Sequence, residues 1–209
     1  ISFSTLSIFT AFAFAYSYWK DLNRLPKAGI TQHWFKAALV FNVLSSLGAF
    51  SLAAFMMLKL INQKLYLSSV YYFLHFQYNG WFFFAAMGLF FYVAKLPEDK
   101  LNKKIFWLFA LTCVPAYFLS ILWAAIHPLV YWMVVLATLV QTTAWILFVQ
   151  LIFKNIAGIK NKFTKGSHWL LALSGIACYI KIFLQLFSVI PSLSKLAFGF
   201  RPIVIGYLH

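Results

Sequence analysis

Residues 71–81 read Tyr-Tyr-Phe-Leu-His-Phe-Gln-Tyr-Asn-Gly-Trp, which places His75, Gln77 and Asn79 inside an otherwise apolar, aromatic-rich run. An imidazole and two carboxamides can donate and accept hydrogen bonds, and the imidazole can also ligate a metal. Four residues separate His75 from Asn79, so both lie on one face of a helix. Gln77 points elsewhere, and Gly80 leaves room for a close approach to the backbone. Polar groups are costly in hydrocarbon, so each marks a candidate functional site. The plainer role for such a group is a hydrogen bond between helices, worth ~0.6–2 kcal/mol.

A second histidine, His209, follows Arg201 and Pro202 in the apolar run that starts near Phe200. Counted from the outer ends of their runs, His75 and His209 both lie ~12 Å along a helix. Two imidazoles at similar depth on separate helices are what a haem held edge-on, or a metal ion, requires. Arg201 sits at the outer edge, where a guanidinium can meet an anionic group such as a propionate.

Other polar residues suggest a different chemistry. Lys181 lies inside the sixth apolar run with Gln185 one turn on, and Gln141 lies near the middle of the fifth beside Thr138, Thr142 and Thr143. Lys181, Gln185 and Gln141 would line the polar path of a transporter or channel-like bundle. Against that, a lysine stem can snorkel to the interface and threonines bond back to their own helix. The carboxylates Asp21, Glu98 and Asp99 all fall outside the apolar runs, so carboxylate-coupled transport, paired-carboxylate hydrolysis and Ser-His-Asp catalysis lack their acid. Cys113 and Cys178 show no metal-ligand spacing and read as small buried hydrophobes.

These residues must be positioned by membrane helices. With 64% hydrophobic and only 10% charged residues, the chain carries more apolar surface than a water-soluble fold can bury. The apolar runs cover about 1–19, 37–61, 67–94, 105–126, 128–153 and 169–190, each long enough to span, and a seventh starts at 200–209. The expected fold is therefore all-α: a polytopic transmembrane helical bundle of six full spans plus the start of a seventh. It would form a single transmembrane domain over 1–209, within a longer chain. Ser45, Ala49 and Ala53 form a small-residue stripe suited to helix packing, and Trp19, Trp34, Trp123 and Trp132 sit near span ends, where indoles favour the interface.

Charge sets an expected orientation. The formal charge of +14 would suggest nucleic acid in a soluble protein, but here the cations cluster in short loops. Odd-numbered loops hold Lys20, Arg24, Lys27 and Lys36, then Lys95, Lys100, Lys103 and Lys104, then Lys154, Lys160, Lys162 and Lys165. Even-numbered loops hold only Lys59, Lys64 and Lys195. The positive-inside rule places the odd loops in the cytoplasm and the N-terminus outside. The expected partners are the lipid bilayer and other membrane or redox subunits, with no nucleic acid. A bacterial cytoplasmic (inner) membrane is the expected location.

The segment His75-Phe76-Gln77-Tyr78-Asn79-Gly80-Trp81, with Gly88 further on, resembles an early histidine-bearing span of the haem-copper oxidase subunit-I-like superfamily. That group includes NnrS-type membrane proteins. Arg201-Pro202-Ile203-Val204-Ile205-Gly206-Tyr207-Leu208-His209 is similar to a second such span. The resemblance implies a haem-binding helical bundle with His75 as axial ligand and His209 a candidate for the second, a residue outside 1–209 being the alternative. The leading expectation is a haem b protein of electron transfer or respiratory-complex assembly. The His-His pair and further copper-ligating histidines of an oxidase are not in this sequence, so oxygen reduction is not implied. A cofactor-free structural or assembly role is the remaining alternative.

Overall fold

The computed structural model describes residues 2–25, 29–60, 62–124 and 126–193. Its helices are α1 (Ser2–Arg24), α2 (Ile30–Met57), α3 (Gln63–His75), a π-helical turn (Phe76–Phe82), α4 (Phe83–Ala94), α5 (Lys100–Ala116), a 3-10 stretch (Tyr117–Ala124), α6 (Pro128–Lys154), α7 (Ile156–Lys160) and α8 (Lys165–Phe187). There is no strand among the described residues. Four helices are long and apolar enough to cross a membrane, namely Ile30–Met57, Lys100–Ala124, Pro128–Lys154 and Lys165–Phe187. These are the helices of an integral membrane protein, because an isolated helix satisfies its own backbone in lipid and shows lipid its apolar side chains. Residues 63–94 are also helical throughout, their central π turn included.

The helix ends follow local chemistry. Asn62 caps α3 by accepting from the Lys64 and Leu65 N–H groups at 3.0 and 3.2 Å. Thr164 caps α8 through the Ser167 N–H. Pro128 opens α6, where its missing N–H costs nothing, and the His127 ring accepts from the Leu129 N–H. Pro115 inside α5 removes a backbone donor, and the helix tightens to 3-10 form directly after it, with Ile121 outside helical geometry. Helices outrun the apolar stretches that announce them: α2 begins at Ile30 and α5 at Lys100, so His33, Trp34 and Lys36 are helical residues. Asp21 likewise lies on the end of α1.

The chain divides into two compact units, Ile1–Phe106 and Trp107–His209. In the first, Trp34 is fully buried and packs its indole against Phe84, Phe91 and Phe106 at centroid distances of 5.2, 5.5 and 5.1 Å. Its place near a span end suggested the bilayer interface, yet it anchors the aromatic core. Trp132, in contrast, is 65% exposed. In the second unit α6 packs against α8, and α6 buries Val134, Thr138, Trp145, Phe148 and Leu151 among others. On α8 only Ile182 is buried.

Candidate intramembrane polar site

The backbone between His75 and Phe83 makes a π-helical turn, a wider coil than the α-helix on either side. Such turns are rare, are found mostly as single bulges, and frequently mark functional sites. Here the turn coincides with the polar cluster. Gln77 Nε2 donates across to α2, to Asn42 Oδ1 at 3.2 Å and Ser45 Oγ at 2.7 Å. The Ser45 hydroxyl donates in turn to the Asn42 carbonyl at 2.6 Å. One carboxamide thus ties the π turn to two residues of α2, each link worth ~0.6–2 kcal/mol in a membrane.

His75 is buried, and its Nδ1 lies 3.1 Å from Asn79 Nδ2. The shared face expected from their spacing is therefore a direct contact. The sense of this bond decides what the ring can do. With Asn79 Nδ2 donating to Nδ1, a neutral imidazole carries its proton on Nε2. With the amide turned over, Oδ1 accepts from Nδ1–H and Nε2 keeps its lone pair, the form that ligates iron.

Close helix approach makes the cluster possible. A Cβ on Gly48 would come within 2.7 Å of the Phe73 nitrogen and the Ser69 carbonyl oxygen, so the α2 and α3 backbones nearly touch there. A Cβ on Gly80 would come within 2.5 Å of Phe41 Cβ, so the space at that glycine is taken by α2. The expected stripe of Ser45, Ala49 and Ala53 is only partly the contact surface. Ser45 is buried and Ala49 half-buried, whereas Ala53 is exposed, and Ser45 with Gly48 makes the close approach.

His209 and Arg201 lie outside the described residues. Gln141, Lys181 and Gln185 are each half-buried and belong to the second unit, while His75, Gln77 and Asn79 belong to the first. Thr138, Thr142 and Thr143 bond back to Val135, Thr138 and Leu139 carbonyls at 2.8–2.9 Å, the packing role expected of them. Among the described residues, no group of three or more His, Cys, Asp or Glu side chains is placed to hold a metal ion.

Sequence reasoning missed Asn102, which is fully buried beside the start of α5. Its N–H donates to Asp99 Oδ1 at 2.8 Å and its side-chain amide to the Pro97 carbonyl. An Asp three residues before an Asn at a helix start was the available signal. Trp145, also buried, has an indole N–H with no hydrogen-bond partner among the described residues, and nothing local in the sequence announces it.

Comparison of the chain with known proteins finds no matching family model, no matching curated relative and no matching solved structure.

Proposed function

We propose that the chain is a multi-pass membrane protein of six spans and the start of a seventh, with its N-terminus outward, in which the polar cluster of the π turn fixes α2 against α3. On this reading it serves as a cofactor-free structural or assembly component of the membrane. The observation that carries it is the double donation from Gln77 to Asn42 and Ser45. A carboxamide satisfied by two side chains of the neighbouring helix is already employed in packing. The six-span count adds α1 and residues 63–94 to the four long apolar helices, and the loop charges support the orientation. A cysteine-accessibility map of the loops, read with a membrane-impermeant reagent, tests both. Labelling of odd and even loops from the same side overturns the topology.

A second reading keeps haem b at this site: with its oxygen turned to the ring, the Asn79 amide would accept from His75 Nδ1–H and leave Nε2 free to ligate. Ligating histidines commonly have their other ring nitrogen held by a hydrogen-bond partner. A single buried imidazole held by an amide would be one ligand to such a group. His75 and His209 would ligate the iron and Arg201 would meet a propionate. The group would supply one-electron transfer. An absorption spectrum of protein expressed with ample haem separates the readings. A Soret band with sharp reduced α/β bands, lost in His75→Ala, replaces the structural reading; a featureless spectrum removes haem.

A further inference from the structure

The three acids of this chain are all spent at one end of the first unit. Asp21 pairs with Arg24 at 3.4 Å, the one ion pair among the described residues. Asp99 accepts from the Asn102 N–H at the start of α5. A Cβ on Gly29 would fall on the Glu98 carboxylate, so Glu98 stands at the N-terminus of α2, where a negative charge is favoured. Far more cations share this end than three acids can balance.

Contacts within the unit show that the elements meet there. The Lys36 ammonium lies over the Trp19 ring, 5.4 Å from its centroid, joining the end of α1 to the start of α2. Trp34 touches Phe91 near the end of α4 and Phe106 near the start of α5. These contacts join the helix ends that carry Lys20, Arg24, Lys36, Lys100, Lys103 and Lys104, a basic rim by position, exposed except for half-buried Lys36. Its spacing is self-repelling. Lys20 and Arg24 are four apart on α1, with only Asp21 as an acid between them, and Lys100, Lys103 and Lys104 crowd the start of α5 against the helix dipole, with Asp99 ahead of them as the acid bonded to that turn. Such an arrangement is relieved by an external anion. The opposite end of the unit carries only Lys59 and Lys64 among its described residues.

We propose that this rim docks anionic phospholipid headgroups, their phosphates bridging the α5 lysines and the Lys20–Arg24–Lys36 group. The Trp19 ring beside Lys36 is 38% exposed, as suits an indole at headgroup depth. Charge complementarity selects anionic over zwitterionic lipid, and a surface lysine contributes about fivefold in affinity. The inference rests on the chain lying in a bilayer and is independent of what His75 does.

Native mass spectrometry of the detergent-purified full chain, titrated with phosphatidylglycerol or phosphatidylcholine, tests it. Phosphatidylglycerol should bind the more tightly, and Lys100→Gln/Lys103→Gln/Lys104→Gln should weaken it by about fivefold per lysine removed. Lys59→Gln/Lys64→Gln should leave it unchanged. Should the triple variant fail to fold, Lys20→Gln/Arg24→Gln reads the same rim from α1 and should lose phosphatidylglycerol likewise. Equal binding of the two lipids by the parent chain, or undiminished phosphatidylglycerol binding in a folded rim variant, overturns the proposal.

Discussion

In the first unit Gln77 reaches from the π turn to Asn42 and Ser45 on α2, whereas in the second Thr138, Thr142 and Thr143 each bond to a carbonyl of α6 itself. Both sets of polar groups sit on apolar helices, yet only one holds two helices together. The difference lies in reach and in approach. A glutamine amide stands on a longer stem than a hydroxyl, and Gly48 with Ser45 brings α2 close enough to be met. A threonine hydroxyl, one bond from Cβ, finds its own turn first. Apolar packing follows the same division, since Trp34 is enclosed by the rings of Phe83, Phe84, Phe91 and Phe106 while α8 buries only Ile182.

The contrast can be broken most forcefully at the aromatic core. Trp34→Ala should cost ~3–5 kcal/mol in unfolding of the protein in mixed micelles, because a large cavity opens among Phe84, Phe91 and Phe106. Trp132→Ala, at an exposed position, should cost far less. Comparable losses at the two positions would mean that the first unit is not held by this core.

Glycines sharpen the comparison at intermediate size. Gly48→Val should destabilise by ~1–3 kcal/mol, since its Cβ meets backbone atoms of α3 that have little freedom to yield. Gly175→Ala on α8, where nothing lies within 4 Å, should be neutral or stabilising by up to about 1 kcal/mol through helix propensity. The same micelle titration reads both, and a Gly48 variant as stable as the parent chain would refute the close α2–α3 approach.

The smallest effects concern the polar groups themselves. Gln77→Leu should lose ~0.6–2 kcal/mol by severing both links to α2. Thr142→Val, which removes only a bond within α6, should stay within about 0.5 kcal/mol of the parent. If Gln77→Leu proves equally silent, the cluster does not clamp the helices, and a ligand role for His75 and Asn79 gains ground.

Composition alone determined that this chain is helical and belongs in a membrane, because 64% hydrophobic residues in long uninterrupted runs leave no soluble alternative. The sequence also determined that His75 and Asn79 meet, since four-residue spacing on a helix is a local geometric fact. Tertiary structure decided the rest. The partners of Gln77 lie on another helix, at Asn42 and Ser45, and a one-dimensional period carries no information about which face of α2 turns toward α3. Trp34 was legible as an amphipathic ring near a span end, but whether its neighbours are lipid headgroups or Phe84, Phe91 and Phe106 depends on helices distant in sequence. Local spacing specifies contacts along a helix; contacts between helices depend on how closely two backbones can approach, which Gly48 and Ser45 settle only when α3 is present to meet them.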